Sequence, residues 1–231
     1  MKLFVITSRI PFPLDKGDKL RIYHQLKELS KHHKIYLCAI KSPLSKEHKI
    51  SREVLNEFCE EVYFINQSLF LTLFSLLKSF FNALPFQTAL FTEFRAKKRV
   101  NHLIDKIEPD HIYCQLTRAA EYVKDRKETK TIDYMDAFSK GMERRALKSN
   151  IFTKWLYKWE SSKQKNYEKS IFEIFNTHTI ISEEDKKHIS HQKRDQIHIV
   201  PNGVDFNHFS QINTKSKYDI VFVGNMGYAP N

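Results

Sequence analysis

Short apolar runs that alternate with amphipathic stretches constrain this chain most. The runs are Leu3–Thr7, Lys34–Ile40, Glu61–Ile65, His111–Gln115, Lys130–Tyr134, Thr177–Ser182, Ile197–Val200 and Tyr218–Val223. Most are unbroken in apolar character, as strands buried on both faces must be. Between them, apolar spacing predicts helices over Lys19–Ser30, Ser45–Phe58, Thr92–Ile107, Ala119–Arg126 and Glu183–His191, with one or two long polar helices over residues 140–176. Strand–helix alternation of this kind implies an α/β fold, a Rossmann-like parallel sheet with helices on both faces. Ligands in such sheets bind outside the carboxyl ends of the strands. The loops around Gly17, Gln115, Asp136, Ser182, Gly203 and Gly224 are therefore the ones of interest.

With 41% apolar and 28% charged residues in 231, the chain can bury a sizeable core and is not disordered as a whole. A net charge of +11, spread over both halves, favours anionic partners: phosphorylated ligands, a membrane surface or nucleic acid. Cys38, Cys59 and Cys114 are odd in number and far apart, so buried free thiols in a reducing cytosol are expected. The first residues enter a strand directly, and no signal core is expected. Glycine is scarce, five in all, and such a chain is expected to keep it where the backbone needs positive φ or close approach to a ligand.

Residues 62–92 carry a single charge, Lys78. Three readings stay open for this stretch: a buried helix, a helix pair that dips into one leaflet or shelters a lipid tail, and a spanning helix. The last is disfavoured by Lys78 and Pro85.

Several chemistries are excluded by motif. There is no G-x-G-x-x-G after the first strand, no P-loop, no G-x-S-x-G elbow, and no zinc-protease spacing around His188 and His191. Aromatic residues are not interleaved with basic ones as a nucleic-acid platform requires, so no nucleic-acid partner is expected. What remains is positional. Arg9, Lys16, Gly17, Lys19 and Arg21 surround the first strand–helix turn, where a helix N-terminus suits a phosphate or carboxylate. In the alternative, Gly17 only makes the turn and the cations are solvated. Asp18 is a plausible N-cap. Asp133 lies inside a strand pattern, and Asp136 falls just past it. Asp136 could accept a proton or orient a hydroxyl, or it could cap the helix starting near Ala137.

Five segments together resemble glycosyltransferase family 4, of the GT-B fold, and within it the exopolysaccharide- and exosortase-associated sugar transferases. They are R-I-P-F-P-L-D-K-G-D-K-L-R at 9–21, D-Y-M-D-A-F-S at 133–139, I-I-S-E-E-D at 180–185, V-P-N-G-V-D at 200–205 and V-F-V-G-N-M-G-Y-A-P-N at 221–231. The resemblance implies a retaining transfer of a sugar from a nucleotide-sugar donor to a saccharide or lipid-linked acceptor. It implies no metal and no cofactor besides that donor. It places an acceptor-side domain in residues 1–212, and a linker with the first strand of a donor-binding domain in 213–231. The E-x7-E pair of the family is expected beyond Asn231, so the chain is expected to be a fragment lacking most of its donor site. Asp136 is the catalytic candidate. Arg9, Lys16, Gly17, Asp18, Arg21, Gln115 and Ser139 are the substrate-binding candidates, and Asn202, Gly203, Asp205, Gly224 and Asn225 the donor-side and hinge candidates. Asn225 stands where many relatives carry arginine and supplies no cation. The expected location is cytoplasmic, on the inner face of an anionic membrane. The rival expectation is a non-catalytic Rossmann-like module that binds a phosphorylated or membrane partner.

Overall fold

A computed structural model describes residues 1–44, 50–206 and 218–220. Gly224, Asn225, the Ser45 cap and most of the 213–231 segment lie outside the described residues. In chain order the elements are β1 (Lys2–Thr7), α1 (Gly17–Leu29), β2 (Lys34–Lys41), α2 (Ile50–Asn56), β3 (Glu61–Asn66), α3 (Leu69–Ser79), α4 (Phe86–Leu90) and α5 (Phe94–Ile107). There follow β4 (His111–Gln115), a 3-10 turn (Thr117–Ala119), α6 (Ala120–Val123), β5 (Thr129–Asp133), α7 (Phe138–Lys148), α8 (Ile151–Phe172), β6 (Thr177–Ile180), α9 (Glu183–His188) and β7 (His198–Ile199).

Among the described residues the strands form one seven-stranded sheet, ordered β3-β2-β1-β4-β5-β6-β7, with every pair parallel. Strand order reverses between β1 and β4, so a crevice opens there at the carboxyl ends. Alternation along β1 explains the layering. Phe4 and Ile6 point into one core with Val100 and Ile104 of α5 and Ile171 of α8. Leu3 and Val5 point into the other, with Ile22 and Leu26 of α1 and Leu55 of α2. The three cysteines are free and buried, and burial raises their thiol pKa values, that of Cys59 to about 12, which leaves them inert.

Three expectations are corrected. No described glycine has positive φ, and a Cβ on Gly17, Gly141 or Gly203 would meet nothing within 4 Å. The positive-φ positions are Glu108, Leu116 and Met135. Asp18 is not the N-cap of α1; that place is held by Lys16, without a side-chain bond, and Asp18 sits in the first turn. The 62–92 stretch is not a buried helix. In α3, Thr72 and Ser79 are buried while Phe70 is 77% and Leu77 63% exposed. No helix among the described residues is long and apolar enough to cross a membrane.

Candidate functional site

The crevice is built from the segments that leave β1, β4 and β5. After β1, the Thr7 hydroxyl donates to the Arg9 carbonyl at 2.7 Å and turns the chain toward α1. Gln115 ends β4, and its Nε2 donates to the Asp18 carbonyl at 2.7 Å. That bond ties the two sides of the strand-order reversal together.

The cations expected to meet a phosphate are largely engaged by carboxylates of the chain itself. Asp18 lies against Arg9 at 2.5 Å and Arg118 at 3.5 Å. A carboxylate thus already occupies the electropositive first turn of α1. Lys19 pairs with Asp15 at 2.7 Å. Arg21 is buried: Nε reaches Asp133 Oδ2 at 2.8 Å, Nη2 reaches Asp133 Oδ1 at 3.4 Å, and Nη1 donates to Asn202 Oδ1 at 3.0 Å. Arg21 is therefore a brace between α1, β5 and the 200–206 turn, rather than a substrate-binding cation. Asn202 is the far end of that brace. Lys16 and Gly17 are exposed at the rim, and Gly203 and Asp205 are exposed in the turn. Ser139 is engaged within the fold. Its N–H and Oγ donate to the buried Glu168 at 3.0 and 2.7 Å, so it faces α8 and not the crevice. Burial raises Glu168 to about 7 against the pull of those bonds.

Asp136 is different. It does not cap α7, whose N-cap is Ala137 without a side-chain bond. Its Oδ1 is buried and has no hydrogen-bond partner. Burial pushes its pKa up to about 6; Asp185 and Asp18 push the same way, and Arg118 opposes them. A carboxylate so placed can accept a hydroxyl proton near neutral pH.

The sequence reading missed Arg118. It follows β4 in the 3-10 turn, and its guanidinium lies over the Phe91 ring at 4.8 Å and the Phe138 ring at 5.0 Å. Its Nε is buried and unpartnered, and burial with the neighbouring Arg9 lowers its pKa to about 10. The missed signal was its place, three residues past a strand end on the crevice side. Also missed were the left-handed backbones of Leu116 (φ 68°, ψ 146°) and Met135 (φ 61°), directly after β4 and β5. Side chains as large as these rarely take such angles, and strain of this kind gathers at functional sites. Here it aims the residues after two adjacent strands into one crevice.

Among the described residues no group of three His, Cys, Asp or Glu side chains could hold a metal. A depression of about 800 Å³ lies at the other end of the sheet, between Lys2, His33, Glu60 and Asp110. Parallel sheets bind ligands at their carboxyl ends, and Asp136 Oδ1 and Arg118 Nε, each without a partner, follow two adjacent strands there, with Leu116 and Met135 in left-handed backbone beside them.

No family model and no curated protein matches this chain. Solved structures resemble it distantly. S. aureus MnaA in complex with UDP aligns at TM-score 0.45 and 9% identity, over 86% of this chain and 44% of that one. UDP-GlcNAc 2-epimerase from Neisseria meningitidis bound to UDP-GlcNAc aligns at 0.45 and 13%, over 86% and 45%. Phytolacca americana UGT2 complexed with UDP-2fluoro-glucose and pterostilbene aligns at 0.43 and 9%, over 79% and 48%. The chain thus spans less than half the length of each. Likeness at this level bears on neither family nor chemistry.

Proposed function

We propose that this chain is the acceptor-side lobe of a retaining glycosyltransferase of the GT-B type. The enzyme moves a hexosyl unit from a nucleotide-sugar to a saccharide or lipid-linked acceptor in cell-surface polysaccharide synthesis. One observation carries the reading: a buried carboxylate oxygen with no partner, Asp136 Oδ1, just past the carboxyl end of β5, one strand from the strand-order reversal. Asp133 and Glu168 are engaged by an arginine, a serine and backbone donors, and Glu93, whose Oε1 is also without a partner, accepts the Ser68 N–H at the start of α5, away from the ends of β4 and β5; Asp136 keeps an acceptor at the crevice.

The acceptor hydroxyl donates its hydrogen bond to Asp136 Oδ1, which orients the oxygen toward the anomeric carbon of the donor. The new C–O bond forms on the face from which the diphosphate departs with the bonding electron pair, and the hydroxyl proton passes to Asp136 Oδ1. The charge of Arg118 keeps Asp136 from rising further in pKa. A module that merely binds a phosphoryl group is less well served by this crevice, because Arg9 and Arg21 are bound to Asp18 and Asp133.

The test is transfer itself. The chain, expressed from the complete reading frame that contains it, is incubated with UDP- and GDP-hexoses and with free and polyprenyl-linked saccharides. The expected product is an acceptor one hexose heavier by mass spectrometry, with the anomeric configuration of the donor by NMR. Absence of transfer across the panel, or an inverted product, would overturn the reading.

A further inference from the structure

The molecule carries an apolar surface that its own fold leaves open. In α3 the burial pattern is inverted, with threonine and serine inward and Phe70, Phe74 and Leu77 outward. The amino-terminal half of α8 continues the surface. Ile151 is 80%, Phe152 88% and Trp155 68% exposed. Aromatic contacts join the carboxyl end of α3 to α8. Phe80 stacks on Trp159 at 5.8 Å, and Trp159 on Trp155 at 6.3 Å. Isolated exposed apolar residues are ordinary, but a contiguous face of this kind marks an interaction site.

Its charge identifies the partner. Leu69–Ser79 and residues 151–159 contain no aspartate or glutamate, and they contain Lys78, Lys154 and Lys158. Lys78 Nζ lies over the Phe74 ring at 4.5 Å, and Lys163 Nζ over Trp159 at 4.3 Å, beside the apolar groups and not remote from them. The first acid of α8, Glu160, is buried and accepts the Phe86 and Gln87 N–H groups at 2.9 and 3.0 Å. Aromatic and aliphatic side chains on segments whose charged residues are lysines match an anionic lipid interface. A second copy would bring the same lysines against one another across a two-fold axis.

The place of the face fits such a surface. α3 begins three residues after β3 ends, at the carboxyl edge of the sheet. Ser161 Oγ donates to the Ser139 carbonyl at 2.8 Å, which ties the middle of α8 to the first turn of α7, six residues past the carboxyl end of β5. Ile151 lies ten residues before Ser161, about 15 Å further along the helix axis. The apolar tip of α8 therefore reaches well beyond the first turn of α7, on the side where β5 ends.

We propose that the α3–α8 face docks this protein on an anionic phospholipid bilayer, with its aromatic side chains in the interfacial region and its lysines at the headgroups. The proposal rests on the surface alone and stands apart from the transferase reading. The experiment is co-sedimentation with vesicles of 30% phosphatidylglycerol in phosphatidylcholine, against phosphatidylcholine alone, at about 0.1 M salt. The expected result is at least about tenfold stronger partitioning to the anionic vesicles. Phe70→Ser with Phe152→Ser, at two heavily exposed positions, is expected to weaken binding at least about tenfold on that membrane. Lys78→Glu with Lys158→Glu is expected to weaken it about as much on anionic vesicles, with little change on neutral ones. Circular dichroism and melting temperature serve as the folding control. A wild-type chain left in the supernatant, or both variants binding like wild type, overturns the proposal. So does a dimer in sedimentation velocity that the same substitutions dissolve without any vesicle binding. A chain that binds vesicles and transfers no sugar sustains the docking face and removes the transferase reading.

Discussion

Replacing Arg21 with alanine is expected to lower the free energy of unfolding by about 3–5 kcal/mol. The Asp133 carboxylate is completely buried, and Arg21 supplies its counter-charge through two guanidinium nitrogens. Tyr113 adds its hydroxyl at 3.2 Å and the Met135 N–H donates at 3.2 Å, but neither brings charge. Alanine leaves a carboxylate in a dry core. It also releases Asn202, and with it the tether of the 200–206 turn. Such a loss is a large share of the roughly 5–15 kcal/mol that holds a domain folded. Urea denaturation measures it. Arg21→Lys is expected to fall between, since a lysine is a point charge that cannot serve two Asp133 oxygens and Asn202 in one plane. Arg21→Met combined with Asp133→Leu is expected to recover most of the loss, because a buried pair replaced as a whole leaves no unpaired ion. A single Arg21→Ala loss under about 1 kcal/mol would show that water or another cation reaches Asp133.

Arg21 also marks the point where sequence reasoning stops. The apolar runs disclosed the sheet, and the strand bounds were unchanged in β4 and moved by at most two residues in the other six strands, because apolar continuity is a local signal that burial on two faces imposes. The position of the crevice followed from the alternation of elements. Which cations face it did not. Arg9, Arg21 and Lys19 read alike in sequence, but their partners are Asp18, nine residues on, Asp133, 112 residues on, and the neighbouring Asp15. Pairing over 112 residues is set by strand order, which periodicity does not encode. Ser139 was lost to the crevice for the same reason, since Glu168 comes from a helix whose polar composition gave no hint of a buried acid. Gly17 misled in another way. Scarce glycine implied a backbone need, yet the left-handed angles fall on Leu116 and Met135. Strain held by surrounding structure leaves no mark in composition. The exposed face of α3 was within reach, because a helix whose polar residues are threonine and serine has nothing charged to turn toward water except Lys78.

Asp136→Asn is expected to make the protein more stable and less active. The sign follows from the two protonation equilibria. An aspartate in the unfolded chain titrates near 3.8, and in the folded protein Asp136 is raised to about 6. Between those values the folded state retains a proton that the unfolded state has released. Stability therefore falls as pH rises through this window, and the full penalty is present above pH 6. Two units correspond to at most about 3 kcal/mol, and partial access of water to the crevice reduces this to roughly 1–3 kcal/mol. Asparagine does not titrate. The variant should match wild type at pH 4 and exceed it at pH 8, by about 4–8 °C in melting temperature for a gain near 2 kcal/mol. If acceptor hydroxyls bind Asp136 Oδ1, the same change should cut kcat by about 100- to 10,000-fold, since an amide cannot accept the developing proton. The two effects together are diagnostic. A carboxylate oxygen left without a donor at a cost in stability is explained by a ligand that supplies one. Wild-type turnover in the variant would remove Asp136 from the site. A variant less stable than wild type at pH 8 would show that Oδ1 already has a donor within the fold, and that the crevice awaits none.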